Sequence, residues 1–265
     1  MNVLRQELRL IVPVALVGAV AMGLIAALYL SIYPSFHQDA NDFMKFIAHL
    51  PPAVRQGVNM QVTSILSFLG FYAFTFTMLG LAAAVQATSV GLAIFGREDA
   101  SGTMDFLLSK PRARWSIFAQ KYLAGVMSLV VSSLIFTGLV YALARWVDAG
   151  DIDTGRFVAM NVTLLAAQLW LYHFAAMLTQ LRRIKSAIGT SLGVSFTFFS
   201  IGVVGAIIGD EKFRYASPLK FFDVNSIATG GTVELRFVVY AVITAALLLG
   251  VTYAIYVRRD IKAVV

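Results

Sequence analysis

Residues 68–95 read FLGFYAFTFTMLGLAAAVQATSVGLAIF and contain no charged side chain. About 20 apolar residues in a helix suffice to cross the hydrocarbon core of a bilayer, so this stretch predicts a transmembrane helix. The next residues, 96–115, read GREDASGTMDFLLSKPRARW and crowd together charges of both signs, although only 13% of the chain is charged. This change from an uncharged run to a charged connection indicates a span that ends at an aqueous surface.

The composition of the whole chain supports a membrane protein. Of the 265 residues, 59% are hydrophobic, and the mean hydropathy is +0.79. Soluble domains are typically about 45–50% apolar and about 25% charged, so this chain lies outside that class. The chain has no cysteine, which excludes disulfides and thiolate metal ligands, and no metal site is predicted.

Five further segments are long and apolar enough to span a bilayer, which gives six predicted spans in one transmembrane domain of residues 1–265. The predicted fold is therefore an all-α polytopic membrane protein. The six segments are Ile11–Tyr33, Phe68–Phe95, Ile117–Leu143, Phe157–Leu178, Ser186–Ile208 and Phe237–Val257.

The distribution of charge predicts the orientation. If both termini lie inside, the inner segments carry thirteen Lys and Arg residues and five Asp and Glu residues, a net charge of about +8. The outer segments then carry eight Lys and Arg residues and nine Asp and Glu residues, a net charge of about −1. This excess matches the positive-inside rule and places the 96–115 connection in the cytoplasm. The same distribution argues against nucleic-acid binding, which would need a basic face with an aromatic or motif context.

Three segments outside the spans have patterns of their own. Residues 2–10, NVLRQELRL, predict an interfacial helix, or else a frayed tail with two topology charges. Within 96–115, Met104, Leu107 and Leu108 share one helical face, which predicts a short amphipathic helix along the inner surface, or else a solvated loop. Residues 209–234 form an external segment before the last span.

The connection resembles the signature of type-2 ABC exporter permeases. Its string REDASGTMDFLLSKPRARWSIFAQK has the Glu, Gly-Thr, Leu-Leu-Ser, Pro and Arg of that signature, and the similarity extends to the six-span layout and to SPLKFFD at 217–223. In that family the connection implies a coupling helix that docks on a cytoplasmic ATPase. Glu98 is the residue expected to serve coupling, through pairing with Arg97 or a neighbouring cation. The residues implied in coupling are Arg97, Glu98, Gly102, Thr103, Met104, Leu107, Leu108 and Arg114.

The chain shows no energy source of its own. No G-x-x-x-x-G-K-[ST] occurs, so no P-loop is predicted, and no catalytic residue is assigned. The predicted spans contain no Asp or Glu, which disfavours an ion-coupled carrier. Lys121 is counted with the inner-side cations. A lone intramembrane His173 is expected to bond a neighbouring helix rather than relay protons.

Polar and small residues in the second and fifth spans predict either close helix contacts or a substrate path between two subunits. The path is the functional alternative, and its aromatic and uncharged character would suit amphipathic cargo. The candidate lining residues are Phe74, Gln86, Thr190, Ser195 and Phe198.

Together these features predict the permease subunit of an ATP-driven exporter in a bacterial or archaeal cytoplasmic membrane. It is expected to work as a dimer with two ATPase chains that bind ATP and Mg, to bind no cofactor directly, and to carry an amphipathic peptide or hydrophobic compound. The alternative is a membrane anchor or assembly factor that recruits a cytoplasmic partner without transport.

Overall fold

The computed structural model of the chain describes residues 3–38, 45, 48–57, 64–102 and 113–258. Across these ranges the regular secondary structure is entirely helical. In chain order the helices are α1 (Val3–Gln38), α2 (Pro52–Gly57), α3 (Phe68–Ser101), α4 (Arg114–Trp146), α5 (Thr154–Leu181), α6 (Ala187–Ile208), α7 (Lys212–Ala216), a 3₁₀ turn (Pro218–Lys220), α8 (Val224–Ala228) and α9 (Leu235–Arg258).

Six of the described helices are long and apolar enough to cross a membrane, which confirms the six predicted spans. They are α1, α3, α4, α5, α6 and α9. Five of them extend beyond the predicted segment at one or both ends, because a helix can continue into polar flanking residues, whereas α6 begins one residue later than predicted.

Helix α3 forms the centre of the bundle. It packs along α1, α5 and α6, and 72% of its most apolar window is buried, compared with 6% for α9. The quoted stretch of sequence therefore lies at the heart of the subunit, while α9 lies at its edge against α5 and α4.

The N-terminal segment does not form a helix separate from the first span. Residues 3–10 and the first span make one continuous helix, α1, with Pro13 inside it. The side chains of Leu4 and Leu8 pack against the hydrophobic core, whereas Arg5 and Arg9 are exposed. The apolar face that predicted a membrane-surface helix is thus used for packing within the protein.

Contacts between helix ends place the start of α1, the start of α4 and the end of α9 at one end of the bundle. The backbone N–H of Leu4 donates to Gln120 Oε1 across 3.3 Å, and Arg114 Nη1 donates to the carbonyl of Val257 across 2.9 Å. The beginning of the first span and the end of the last span therefore lie on the same side of the bundle, as an even number of spans requires.

Candidate functional site

A buried lysine ties three helices together at this end of the bundle. Lys121 lies two turns into α4, and its side chain is 1% exposed. Its ammonium donates to Glu7 Oε1 on α1 at 2.7 Å, to Glu98 Oε1 on α3 at 2.5 Å and to the carbonyl of Ile94 at 2.8 Å. Because an ammonium has three donors, these contacts use its full capacity.

The two carboxylates are also removed from solvent. The side chains of Glu7 and Glu98 are 6% and 13% exposed, and Arg97 Nη1 lies 3.5 Å from Glu7 Oε2. We call Glu7, Arg97, Glu98 and Lys121 the charge cluster. Its two acids and two bases balance formally, which is the condition under which buried charges are tolerated.

Helix α3 carries Glu98 to the cluster by continuing beyond the apolar stretch. It extends to Ser101 and ends at Gly102, whose φ of 68° is in the left-handed region and whose N–H donates to the carbonyl of Glu98. Glycine adopts this conformation without steric cost, so it is a common helix terminator. The first part of the charged connection, up to Ser101, is therefore the last turn of α3, and residues 103–112 lie outside the described ranges.

Of the two pairings expected for Glu98, the structure shows the one with a neighbouring cation. Glu98 pairs with Lys121, and Arg97 pairs with Glu7 instead. Arg114 is engaged with α9 within the subunit, and Gly102 ends α3. The other predicted coupling residues, Thr103, Met104, Leu107 and Leu108, lie outside the described residues, so the proposed coupling helix stays a prediction.

Two members of the charge cluster were missed as functional residues by sequence reasoning. Lys121 belongs to the string that resembles the permease signature but is counted among the inner-side cations, although it falls within the third predicted span, and Glu7 is placed only in the predicted interfacial helix. The signal that was available is Lys121 itself, because a lysine within a span requires a partner.

The charge cluster can transmit force between helices. Removing one partner of a buried ion pair costs about 3–5 kcal/mol, since the remaining charge is left uncompensated. Moving the end of α3 away from α4 would carry a penalty of that kind. The ends of α1, α3 and α4 are therefore held as one unit immediately beside the 103–112 connection.

The predicted pathway residue Gln86 lies inside the bundle. It is 5% exposed, and its Nε2 donates to the carbonyl of Ala15 at 2.7 Å and to Ser132 Oγ at 2.5 Å. Its Oε1 accepts from Gln168 Nε2 at 2.8 Å. With both ends of its amide bonded, Gln86 links α1, α3, α4 and α5.

Of the remaining candidate lining residues, Thr190, Ser195 and Phe198 lie on α6 and Phe74 lies on α3. Ser195 is fully buried and lies 3.1 Å from Thr88 Oγ1 on α3. Phe198 is half-buried against Trp170, and Thr190 and Phe74 are also half-buried. These positions show helix contacts within one subunit, and their place in a pathway stays a prediction.

His173 is hydrogen-bonded at both ring nitrogens. Its Nδ1 contacts the carbonyl of Leu169, and because a carbonyl only accepts, Nδ1 carries the proton. In the neutral ring Nε2 then accepts from the hydroxyl of Tyr122 at 2.9 Å. This arrangement is the expected bond to a neighbouring helix, since Tyr122 lies on α4.

Two glycines, Gly91 on the second span and Gly193 on the fifth, have different surroundings. A Cβ at Gly91 would lie 2.8 Å from the Tyr172 carbonyl and the Ala175 side chain, so Gly91 permits the close packing of α3 on α5. A Cβ at Gly193 would meet no atom of the described residues within 4 Å, and Gly193 is exposed. This glycine of the fifth span therefore faces out of the subunit.

A comparison of the sequence with curated proteins found no significant match. A family model described as ABC-2 family transporter protein matches residues 1–261. The match covers all six spans and the charge cluster. We conclude that the chain is a multi-pass membrane protein of the ABC-2 transporter family.

Proposed function

We propose that this chain is the permease subunit of an ATP-driven exporter and that it works as a dimer with two separate cytoplasmic ATPase chains. Family membership supports the proposal, since ABC-2 permeases generally dimerise and work with an ATPase partner. ATP and Mg would be bound by the partner. The proposed cargo is an amphipathic peptide or hydrophobic compound, and the proposed location is a bacterial or archaeal cytoplasmic membrane.

The observation that carries the proposal is the position of the charge cluster. Glu98 and Lys121 join the two helices that the 96–115 connection links, and Glu7 adds α1 to the same unit. An ATPase that pushed on this connection would move three spans together, because separating them would expose or unpair buried charges. The N-terminal end of α1 would then act as a brace for the coupling segment.

The structure of the subunit also bears on dimerisation. The second span, α3, is mostly buried within the subunit, whereas α6 presents Gly193 and the exposed ring of Phe196 outward. Residues Ser191 and Ser195 on the opposite side of α6 bond to α3. We therefore propose that α6 supplies the contact with a second copy, with its inner side anchored to α3.

The experiment that tests this function compares the chain alone with its native complex. The tagged chain is purified from its own membranes and reconstituted in vesicles, with and without its co-purified P-loop ATPase. We expect ATP hydrolysis only with the second polypeptide present. Transport by the chain alone, against a gradient and without nucleotide, would contradict the proposal.

An experiment in cells distinguishes an exporter from a membrane anchor that does not transport. A strain that lacks the gene is screened for sensitivity to membrane-active peptides and complemented with the wild-type chain or with Glu98→Gln. An exporter requires a coupled complex, so complementation by wild type and not by Glu98→Gln supports transport. An anchor would complement equally well in both forms if the ATPase is still recruited.

A further inference from the structure

A cavity of about 380 Å³ lies at the opposite end of the bundle from the charge cluster. Its walls come from α2, from the C-terminal half of α6, and from residues 209–225, which precede the last span. Gly205 permits this arrangement, because a Cβ there would lie 2.1 Å from the Phe213 Cβ. The chain thus folds back onto α6 and borders a space that none of the predicted site residues lines.

The charged residues around this cavity leave it formally neutral. Among the described lining residues, three acids accompany three bases, namely Asp210, Glu211, Asp223, Arg55, Arg214 and Lys220. Most of them are engaged within the chain. Arg214 Nη1 lies 2.7 Å from Glu234 Oε1, Asp223 Oδ1 accepts the backbone N–H of Asn225, and Lys220 also has a partner within the chain. The cavity has no excess of either sign, so it favours an uncharged ligand over an ion.

Two side chains of the lining keep hydrogen-bonding atoms without a partner. Within the described part of the chain, the buried Arg55 Nε on α2 and the buried Asn225 Oδ1 on α8 form no hydrogen bond. Asn225 as a whole is 8% exposed. The guanidinium of arginine only donates, whereas the carbonyl oxygen of the asparagine side chain only accepts. Because buried polar atoms are nearly always paired, one unpaired donor and one unpaired acceptor at the same cavity indicate a polar ligand.

An amide group matches these two side chains. It has one carbonyl, which accepts, and one N–H, which donates, and the trans peptide plane holds the two in opposite directions. Arg55 and Asn225 belong to different walls of the cavity, so one amide between them can pair with both. The side-chain amide of Asn225 can turn towards a ligand, because its terminal torsion is broad. A carboxylate would satisfy Arg55 but would offer no hydrogen to Asn225 Oδ1.

We propose that this cavity binds the backbone amide of an uncharged peptide with apolar side chains. Arg55 donates to the peptide carbonyl, Asn225 Oδ1 accepts the peptide N–H, and the apolar side chains lie against Phe213 and Phe222, which line the same space. The proposal goes beyond the exporter function, because the site would exist equally in an anchor that does not transport.

The test measures binding to the full-length purified chain in phosphatidylcholine nanodiscs without an ATPase. The probes are N-acetyl-phenylalanine N-methylamide, its analogue with both amides replaced by esters, and N-acetyl-phenylalanine with a free carboxylate. We expect the amide to bind about fivefold or more tightly than the ester, which has no N–H to donate, and the carboxylate to bind no more tightly than the amide. Equal affinity for amide and ester, tighter binding of the carboxylate, or no binding of the amide would overturn the proposal.

Variants locate the site. Arg55→Met and Asn225→Leu are expected to weaken amide binding about fivefold or more, and Asn225→Asp is expected to retain it, because a carboxylate oxygen also accepts from N–H. Asn225→Leu should also remove most of the preference for the amide over the ester. Lys212→Met is the matched control, because Lys212 is exposed on α7 and does not line the cavity. If Arg55→Met and Asn225→Leu bind the amide as tightly as Lys212→Met, the assigned site is wrong.

The comparison of probes on the wild-type chain needs no variant, so it decides the proposal even if a substituted chain fails to fold. It also contains no nucleotide. Loss of ATP-driven transport and loss of amide binding are therefore separate results, and failure of the proposed function leaves this site to be judged on its own.

Discussion

Glu98 Oε1 lies 2.5 Å from the ammonium of Lys121, and this contact joins the end of the second span to the start of the third. The same ammonium contacts Glu7 on the first span. Because the three side chains are nearly inaccessible to water, the contact is not an exposed ion pair of small value. It fixes the geometry from which the charged connection departs.

Replacing Lys121 tests how much the charge cluster contributes to the stability of the folded chain. Lys121→Met leaves two buried carboxylates with Arg97 as the remaining cation, so we expect the free energy of unfolding to fall by about 3–5 kcal/mol. Lys185→Met, at an exposed position, is the control. Thermal unfolding of the purified chains in detergent measures the difference, and similar transition temperatures for both variants would contradict the assigned burial.

Substitutions of Gly102 test whether the left-handed backbone conformation that ends α3 is needed for ATP hydrolysis by the complex. Gly102→Ala forces a side chain into a positive φ at a cost of about 1–2 kcal/mol, whereas Gly102→Asn is tolerated better because asparagine adopts the left-handed conformation. Among the described residues, which omit 103–112, no atom lies within 4 Å of a Cβ built there. ATP hydrolysis by the complex should fall more in the Ala variant than in the Asn variant. The reverse order would contradict the role of the backbone conformation.

The absence of cysteine allows a direct test of the dimer contact. Gly193→Cys on α6 and Gly138→Cys on α4 each introduce one thiol at an exposed site with no atom within 4 Å of the new Cβ. A disulfide requires Cα atoms about 4.4–6.8 Å apart. Mild oxidation in membranes should cross-link the Gly193→Cys chains and leave the Gly138→Cys chains monomeric on a denaturing gel. Cross-linking of Gly138→Cys alone would move the interface to α4.

The spans could be predicted from the sequence because they depend on properties of contiguous residues. Length and hydropathy over a window identify a helix that can cross a bilayer, and a single lysine does not change that result. For this reason the third span was found while the importance of Lys121 within it was missed. The family was likewise indicated by a contiguous string, 97–121.

The candidate sites could not be predicted in the same way because their residues are distant in sequence. Lys121 and Glu7 are 114 positions apart, and the partners of Gln86 come from three other helices. Periodicity does not tell whether a polar residue in a span faces a path or another helix. Only the packing shows that Gln86 is a link between helices.

The most direct test of the central claim is ATP hydrolysis by the native complex with Glu98→Gln. This change keeps the size of the side chain and removes its charge, and Glu7 still supports Lys121. Glu211→Gln, at the exposed opposite end, is the control. We predict at least a fivefold fall in substrate-stimulated hydrolysis for Glu98→Gln, with the ATPase still bound, and wild-type rates for Glu211→Gln. Wild-type hydrolysis and export in Glu98→Gln would contradict the claim that work reaches the spans through this contact.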